Sequence, residues 1–240
     1  SCLVGSEMCI RDRLAEYFIA VAFVASGFSA NLRGLIAPIG ITLPNALSNT
    51  FGNKGGVIDI IAAVVIILTA LLLSRGVTEA ARMENILVIL KVLAIILFVI
   101  VGLTAINFSN FVPFVPEHKV TKSGDFGGWQ GIYAGVSMIF LAYIGFDSIA
   151  ANFAEAINPQ KTMPRGILGS LAVAIVLFVA VALVLVGMFH YSQYADNAEP
   201  VGWALRKSGH GIIAAVVQAI SVIGMFLSLI HISEPTRQEA

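Results

Sequence analysis

The sequence predicts an all-α membrane protein, and its composition and hydropathy pattern are the observations behind that prediction. Hydrophobic residues make up 58% of the 240 residues, charged residues make up only 12%, and the mean hydropathy is +0.91. A typical soluble domain carries about 25% charged residues. Apolar stretches recur along the chain at roughly the 20-residue length that a helix needs to cross the hydrocarbon layer. The chain is therefore expected to be a multi-pass membrane protein.

Several classes of function find no support in the residues. The formal net charge is zero and no basic run with interleaved aromatic residues is present, so nucleic acid is not an expected partner. The sequence has no Gly-rich phosphate loop, nucleophile elbow or zinc-protease helix motif. The cysteines and histidines lack metal-ligand spacing; they are Cys2, Cys9, His118, His190, His210 and His231. We expect no metal, no cofactor and no enzymatic activity.

The two ends of the chain differ from the rest. SCLVGSEMCIRDR and HISEPTRQEA are polar and aperiodic, and both resemble translated adapter or linker sequence. Residues 1–13 and 231–240 are therefore expected to be non-native segments that make few native-like contacts. The sequence shows neither a start methionine nor a signal-peptide pattern. We expect residues 14–230 to be an internal part of a longer membrane protein.

Six candidate membrane spans are predicted between the two terminal segments. They cover residues 14–36, 57–74, 84–106, 167–189 and 211–230, and the fourth begins at residue 131 and closes in NPQKTMP. In that closing segment, Pro159 and Pro164 are expected to end the helix. The first span is expected to face other helices because it carries the polar residues Glu16, Ser26, Ser29 and Arg33. The fifth span has no charged residue and is expected to face lipid.

The fourth span contains an acid, Asp147. A carboxylate within the hydrocarbon layer costs roughly 2.5 kcal/mol or more, so it normally faces protein or water. Gly145 lies two residues before it, and the AYIGFD run is interpreted as a break that frees backbone groups at membrane depth. The alternative is an ordinary span in which Gly145 packs on a neighbour and Asp147 lies near the cytosolic interface. Asp59 instead stands at the N-terminal end of the second span, where the helix dipole favours an acid, and no function is assigned to it.

The basic residues in the connections predict the orientation. The short connections 75–83 and 155–165 contain Arg75, Arg82, Lys161 and Arg165, whereas the longer opposite loops contain Lys54, Lys119, Lys122, Arg206 and Lys207. The higher density of positive charge favours a cytoplasmic location for the two short connections. Residues 107–130 are expected to form a surface loop that Trp129 anchors at the membrane edge.

Longer segments resemble a known family. FLAYIGFDSIAANFAEAINPQKTMPRGI resembles the sixth-helix signature of the amino acid–polyamine–organocation superfamily, in particular of bacterial relatives of the cationic amino acid transporters. LAEYFIAVAFVASGFS resembles the third helix, and SRGVTEAARMENILVILKVLAIILFVIVG resembles the fourth-to-fifth link and the fifth helix. The spans after Pro164 resemble helices seven and eight. The likeness covers residues 14–230 and implies a LeuT-like fold, with the substrate between broken helices and the fourth span broken near Ala142–Gly145.

The resemblance also implies roles for individual residues. Carbonyls of the broken sixth helix bind the substrate's amino group in the family, which places Phe140, Leu141, Ala142, Tyr143, Ile144 and Gly145 at the substrate. Ser221 lies on the helix that the family places beside the substrate. Lys91 matches the fifth-helix lysine that stands in for a sodium ion in proton-coupled members, and Glu16 matches an acid of the third helix. The first helix, whose backbone takes the substrate carboxylate, is expected to be missing from this sequence.

The sequence departs from the family pattern at two positions. Leu141 stands where an aromatic residue is common, which widens the expected side-chain pocket. Ala154 replaces the first member of an acidic pair whose second member is Glu155, which loosens an expected cytoplasmic contact.

Each of these roles has a structural alternative. Lys91 is predicted to couple transport to protons, but the alternative is a lysine that snorkels to the interface along its apolar stem. For Glu16 the preferred interpretation is a buried hydrogen-bonding partner that fixes helix packing. The stripe of Gln218, Ser221 and Gly224 is more typical of helix packing than of a ligand contact.

The function that the resemblance implies is amino acid transport by alternating access, either proton-coupled or by exchange, in the cell membrane (the inner membrane in a Gram-negative organism). The expected partners are a neutral or cationic amino acid, a proton and the lipid bilayer. An acidic substrate is not expected, because this sequence offers no unpaired cation dedicated to a side-chain carboxylate. The alternatives are a membrane-embedded enzyme, which should show a nucleophile–base pair or metal cluster, and a structural subunit, which should lack the broken-helix signature and the buried lysine.

Overall fold

The computed structural model describes residues 6–40, 44–49, 56–74, 81–121, 124–140, 159–195 and 197–238. Within these residues the chain forms eight α-helices: α1 (Ser6–Ile36), α2 (Asn45–Ser48), α3 (Ile60–Ser74), α4 (Ala81–Leu103), α5 (Gly128–Phe140), α6 (Pro159–Met188), α7 (Pro200–Lys207) and α8 (Gly211–Gln238). Short 3-10 turns cover Ala37–Ile39, Phe108–Phe111 and Tyr191–Tyr194. Strands β1 (Lys119–Thr121) and β2 (Gly124–Phe126) form an antiparallel hairpin.

Four helical segments in the described part of the chain are long and apolar enough to cross a membrane: Tyr17–Ile39, Asn85–Leu103, Gln160–Met188 and Gly211–Ile230. They confirm the predicted first, third, fifth and sixth spans. The predicted second span is the shorter apolar helix α3, and the predicted fourth begins with α5. The expected break near Ala142–Gly145 lies outside the described residues, so the count of six spans stays a prediction.

The prediction that Pro164 ends a helix is wrong, because α6 begins at Pro159 and contains Pro164. The end of the fourth span itself lies outside the described residues. Proline suits the first helical position, where its missing N–H would have no intrahelical partner. Pro164 removes a further N–H that would otherwise bond to the carbonyl of Gln160. Both Gln160 and Pro164 are exposed, so solvent can hydrate that carbonyl. The proline therefore costs less here than in a buried helix interior.

Helical backbone also extends into both terminal segments. Helix α1 begins at Ser6 and α8 ends at Gln238, beyond the limits of residues 14 and 230 that the sequence predicts for the spans. Residues 6–13 contain neither glycine nor proline, so nothing in their composition stops a helix there. The non-native origin of the two segments stays a prediction.

The first of two compact units comprises Ser1–Gly102 and Tyr194–Ala240. Helix α1 packs most extensively on α8, and α3 packs on both. Their shared core contains Ala25, Val65 and Leu229, one from each helix. Beside it, the rings of Phe28 and Phe226 lie 6.4 Å apart. The expectation that the first span faces other helices is confirmed on this side of α1.

Polar residues of α1 meet the start of α3. The Oδ1 of Asp59 accepts a hydrogen bond from the backbone N–H of Ala62 at 3.1 Å, which makes Asp59 the N-cap of α3. The same oxygen accepts a 2.7 Å hydrogen bond from the Oγ of Ser29, which is fully buried. Arg33 donates to Asn49 Oδ1 at 3.0 Å. Asp59 therefore has the structural role that its position predicts.

The second unit spans Leu103–Gln193. Its connection between α4 and α5, predicted as plain loop, contains the β-hairpin and is tied to the end of α6 by Gly187. The carbonyl of Gly187 accepts the backbone N–H of Asn107 at 2.9 Å and the side-chain amide of Asn110 at 2.8 Å. Trp129 is 83% exposed, and its role as an anchor at the membrane edge stays a prediction.

Candidate functional site

Lys91 lies on the buried face of α4. Ala94 and Phe98 follow it by three and seven residues, which places all three on one side of the helix. Ala94 is 5% exposed and Phe98 is 1% exposed, and Lys91 itself is half-buried. The lysine stem therefore leaves α4 toward the protein interior.

The ammonium of Lys91 reaches α8. Its Nζ donates a hydrogen bond to Ser228 Oγ at 3.3 Å. Ser228 Oγ in turn donates to the carbonyl of Gly224, one turn earlier, at 2.8 Å. Because the hydroxyl hydrogen is directed to its own helix, a lone pair of the oxygen is left to accept from the ammonium.

The aliphatic stem of Lys91 packs against Gly224 of α8. A Cβ placed on Gly224 would overlap the Cε of Lys91 and would lie 3.1 Å and 3.2 Å from its Cδ and Cγ. Real Cβ atoms almost never approach other heavy atoms more closely than 3.0 Å. The stem therefore fits against α8 only because residue 224 has no side chain.

The depth of Lys91 bears on the snorkelling alternative. Lys91 is six residues into the apolar segment Asn85–Leu103, or about 9 Å along the helix. Snorkelling would direct the stem along α4 toward the near interface. In the structure the ammonium instead points across to Ser228 on another helix. This geometry places the half-buried lysine against α8, and both the coupling role and its snorkelling alternative stay predictions.

A second polar cluster, which sequence reasoning missed, joins α7 to α1 and α8; we call Glu199, Arg206 and Gln218 the Arg206 cluster. Arg206 forms an ion pair with Glu199, and Gln218 donates to the other oxygen of the same carboxylate. Arg206 Nη1 also donates to Gln218 Oε1 at 2.7 Å and to the carbonyl of Gly34 at 3.2 Å. Gln218 is 2% exposed, and the Arg206 and Glu199 side chains are 24% and 16% exposed.

Glycines make room for the Arg206 cluster as well. A Cβ on Gly34 would overlap the carboxylate of Glu199, and one on Gly202 would overlap the amide of Gln218. The cluster therefore packs closely at the contact between α1, α7 and α8. Its hydrogen bonds and ion pair attach the short helix to α1 and α8.

Two features of the sequence could have predicted the short helix α7. Pro200 occupies a first-turn position and the basic Arg206 and Lys207 lie in the last turn, an arrangement typical of a helix. An edge contact between Tyr194 and Trp203 at 5.3 Å adds to the attachment of α7. Within α7, the Nζ of Lys207 lies 4.5 Å from the centre of the Trp203 ring. Burial raises the pKa of Tyr194 to about 12, so its phenol stays neutral at physiological pH.

The stripe on α8 is divided between these two sites. Gln218 belongs to the Arg206 cluster and Gly224 supports Lys91. Ser221 lies between them, half-buried, and donates to the carbonyl of Val217 in its own helix at 2.9 Å. A contact between Ser221 and substrate stays a prediction.

Most of the remaining predicted site residues fall in a part of the chain that the structure does not describe. Leu141, Ala142, Tyr143, Ile144, Gly145 and Asp147 lie outside the described residues. Phe140 is the last residue of α5 and Glu16 lies in α1, and only the backbone is described for these two.

Comparisons with known proteins place this arrangement in context. The model of a family described as amino acid permease matches residues 13–234. The branched-chain amino acid permease BcaP of Lactococcus lactis subsp. cremoris (strain MG1363) is 62% identical over 217 residues, which are 90% of this chain and 46% of that protein. The methylthioribose transporter of Bacillus subtilis (strain 168) is 37% identical over 89% of this chain and 44% of its own length. The chain spans about half the length of the curated relatives it matches.

The chain is also similar to a plant transporter. The chloroplastic cationic amino acid transporter 9 of Arabidopsis thaliana is 27% identical over 90% of this chain and 37% of its own length. This agrees with the superfamily that the sequence motifs resemble.

Proposed function

Because this chain belongs to the amino acid permease family and is part of a multi-pass membrane protein, we propose that it contributes to a secondary transporter for amino acids in the cell membrane. The observation that carries the proposal is the 62% identity to a branched-chain amino acid permease across 90% of the chain. The transporter works by alternating access and carries out no covalent chemistry on its substrate.

The proposed substrates are the branched-chain amino acids. Their side chains are apolar, as are Leu141 and Ile144, which the family pattern places beside the side-chain pocket. A substrate with a side-chain carboxylate would need a dedicated cation, since burying an unpaired carboxylate is costly. Arg206, a half-buried cation of the described part of the chain, already pairs with Glu199.

Lys91 is the proposed proton site. Burial disfavours the charged ammonium, whereas the hydroxyl of Ser228 favours it. A change in the helices around the lysine shifts that balance, so the amine binds a proton in one access state and releases it in the other. This cycle would couple uptake to the proton gradient.

The test is uptake by the complete permease, reconstituted in liposomes. With labelled isoleucine as the substrate, unlabelled leucine and valine are expected to compete strongly, and glutamate is expected to compete at least about 100-fold less, the scale on which an unpaired buried charge is rejected. Lysine and methylthioribose serve as further competitors, because relatives of this chain are named for cationic amino acids and for methylthioribose. Stronger competition by glutamate or methylthioribose than by leucine would disprove the proposed substrate class.

A further inference from the structure

We propose that Gly224 is a positioning residue for Lys91, because the missing side chain at 224 sets where the lysine ammonium lies. The inference rests on the proposed coupling role of Lys91 and adds the residue that determines its geometry. The carbonyl of Gly224 also anchors the Ser228 hydroxyl that accepts from the ammonium. One backbone position on α8 therefore fixes both the stem of the cation and its acceptor.

Three successive carbons of the lysine stem face Gly224. A methyl group at 224 would overlap Cε and press on Cδ and Cγ, so rotation about one terminal bond cannot relieve the clash. Either the whole stem leaves the surface of α8, or α4 and α8 separate. Both responses lengthen the 3.3 Å contact from Nζ to Ser228 Oγ, and the ammonium loses its position.

Gly27 of α1 provides a matched control, because it packs against Met225, the residue next to Gly224 on α8. A Cβ at Gly27 would lie 3.7 Å from the Sδ and 3.8 Å from the Cε of Met225, which is ordinary van der Waals contact. Gly27→Ala and Gly224→Ala thus add the same methyl group at two helix contacts that involve α8. Only the second one meets the lysine.

The first measurement separates coupling from substrate movement in the complete permease in liposomes. Gly224→Ala is expected to lower accumulation driven by a pH gradient by about tenfold, the size of effect that one overpacked methyl group has on an equilibrium. Exchange of labelled for unlabelled isoleucine without a pH gradient should stay within about twofold of the unsubstituted protein. Gly27→Ala should change neither activity.

The second measurement reports the position of the amine itself. The complete permease is treated with a membrane-permeant acylating reagent, and the modified fraction of Lys91 is quantified by mass spectrometry. Gly224→Ala is expected to raise this fraction severalfold, and Gly27→Ala should leave it unchanged. Ser228→Ala removes the acceptor without adding volume and should act in the same direction, which keeps the test available if Gly224→Ala does not fold.

The outcomes distinguish this inference from the proposed coupling. Unchanged Lys91 reactivity in both Gly224→Ala and Ser228→Ala would overturn the positioning role. So would an equal loss of exchange and accumulation in Gly224→Ala, because that result indicates a general packing defect. If Lys91→Ala keeps full accumulation, the coupling proposal fails, and a raised reactivity in Gly224→Ala still supports the positioning role.

Discussion

Cationic side chains from two neighbouring helices contact α8 at two different places, and the two contacts differ in chemistry. Arg206 approaches near the start of α8 and pairs with the carboxylate of Glu199 while it bonds to Gln218. Lys91 approaches ten residues further along, at Ser228, where its described acceptor is a hydroxyl. In both places a glycine makes room for a polar side chain, Gly34 at the first and Gly224 at the second.

The difference shows how one helix can support a permanent contact and a titratable one. Arginine stays protonated in proteins, and a guanidinium that pairs with a carboxylate holds its partners in a fixed geometry. Lysine, unlike arginine, shifts its pKa readily when it is buried and is able to release its proton. We therefore expect the Arg206 cluster to determine stability and Lys91 to determine coupling.

The largest expected effect is on coupling. Lys91→Ala should abolish accumulation driven by a pH gradient while part of the exchange activity remains, because the proton site is lost but the substrate site is not. Lys91→Arg should not restore accumulation, since arginine does not release its proton. Arg206→Lys is the opposite exchange of cations and should keep accumulation.

Uptake of labelled isoleucine into liposomes with and without a pH gradient measures these variants. If accumulation persisted unchanged in Lys91→Ala or in Lys91→Arg, the coupling role would be wrong.

The next effect is on stability. Arg206→Ala leaves the mostly buried Glu199 carboxylate without its cation and should lower the free energy of unfolding by roughly 3 kcal/mol, the scale for breaking a buried ion pair. Glu199→Ala should cost a similar amount, and the double substitution should cost much less than the sum. Denaturation by SDS in mixed micelles measures this double-mutant cycle, and additive losses would show that the two residues are not coupled.

The smallest expected effect concerns the glycines. Gly34→Ala places a methyl group on the Glu199 carboxylate and should destabilise the protein by about 2 kcal/mol, as overpacking typically does. Gly27→Ala lies two turns earlier on the same helix, where the added methyl group has room, and should be neutral or stabilising by up to about 1 kcal/mol from helix propensity. The same SDS denaturation compares the two, and equal effects would contradict the role of Gly34 in seating the cluster.

The fold class and the family could be predicted from the sequence with accuracy. The superfamily resemblance over residues 14–230 is confirmed by the family match to residues 13–234. Four predicted spans coincide with long apolar helices. The errors arose at boundaries: Pro164 is tolerated because it lies near an exposed helix start, and the helix at Pro200–Lys207 was predicted as loop because it is short and polar.

Hydropathy and residue type were enough to predict the membrane class, the positions of four spans and the place of Asp59 at a helix N-terminus, because these features depend on residues that are near one another in the chain. Only the tertiary structure decided which polar side chains meet. Arg206 reaches the carbonyl of Gly34 across 172 positions of sequence, and Lys91 reaches Ser228 across 137. No local pattern records such a pairing, since it depends on helix packing and on the glycines that allow a long side chain to lie between two helices.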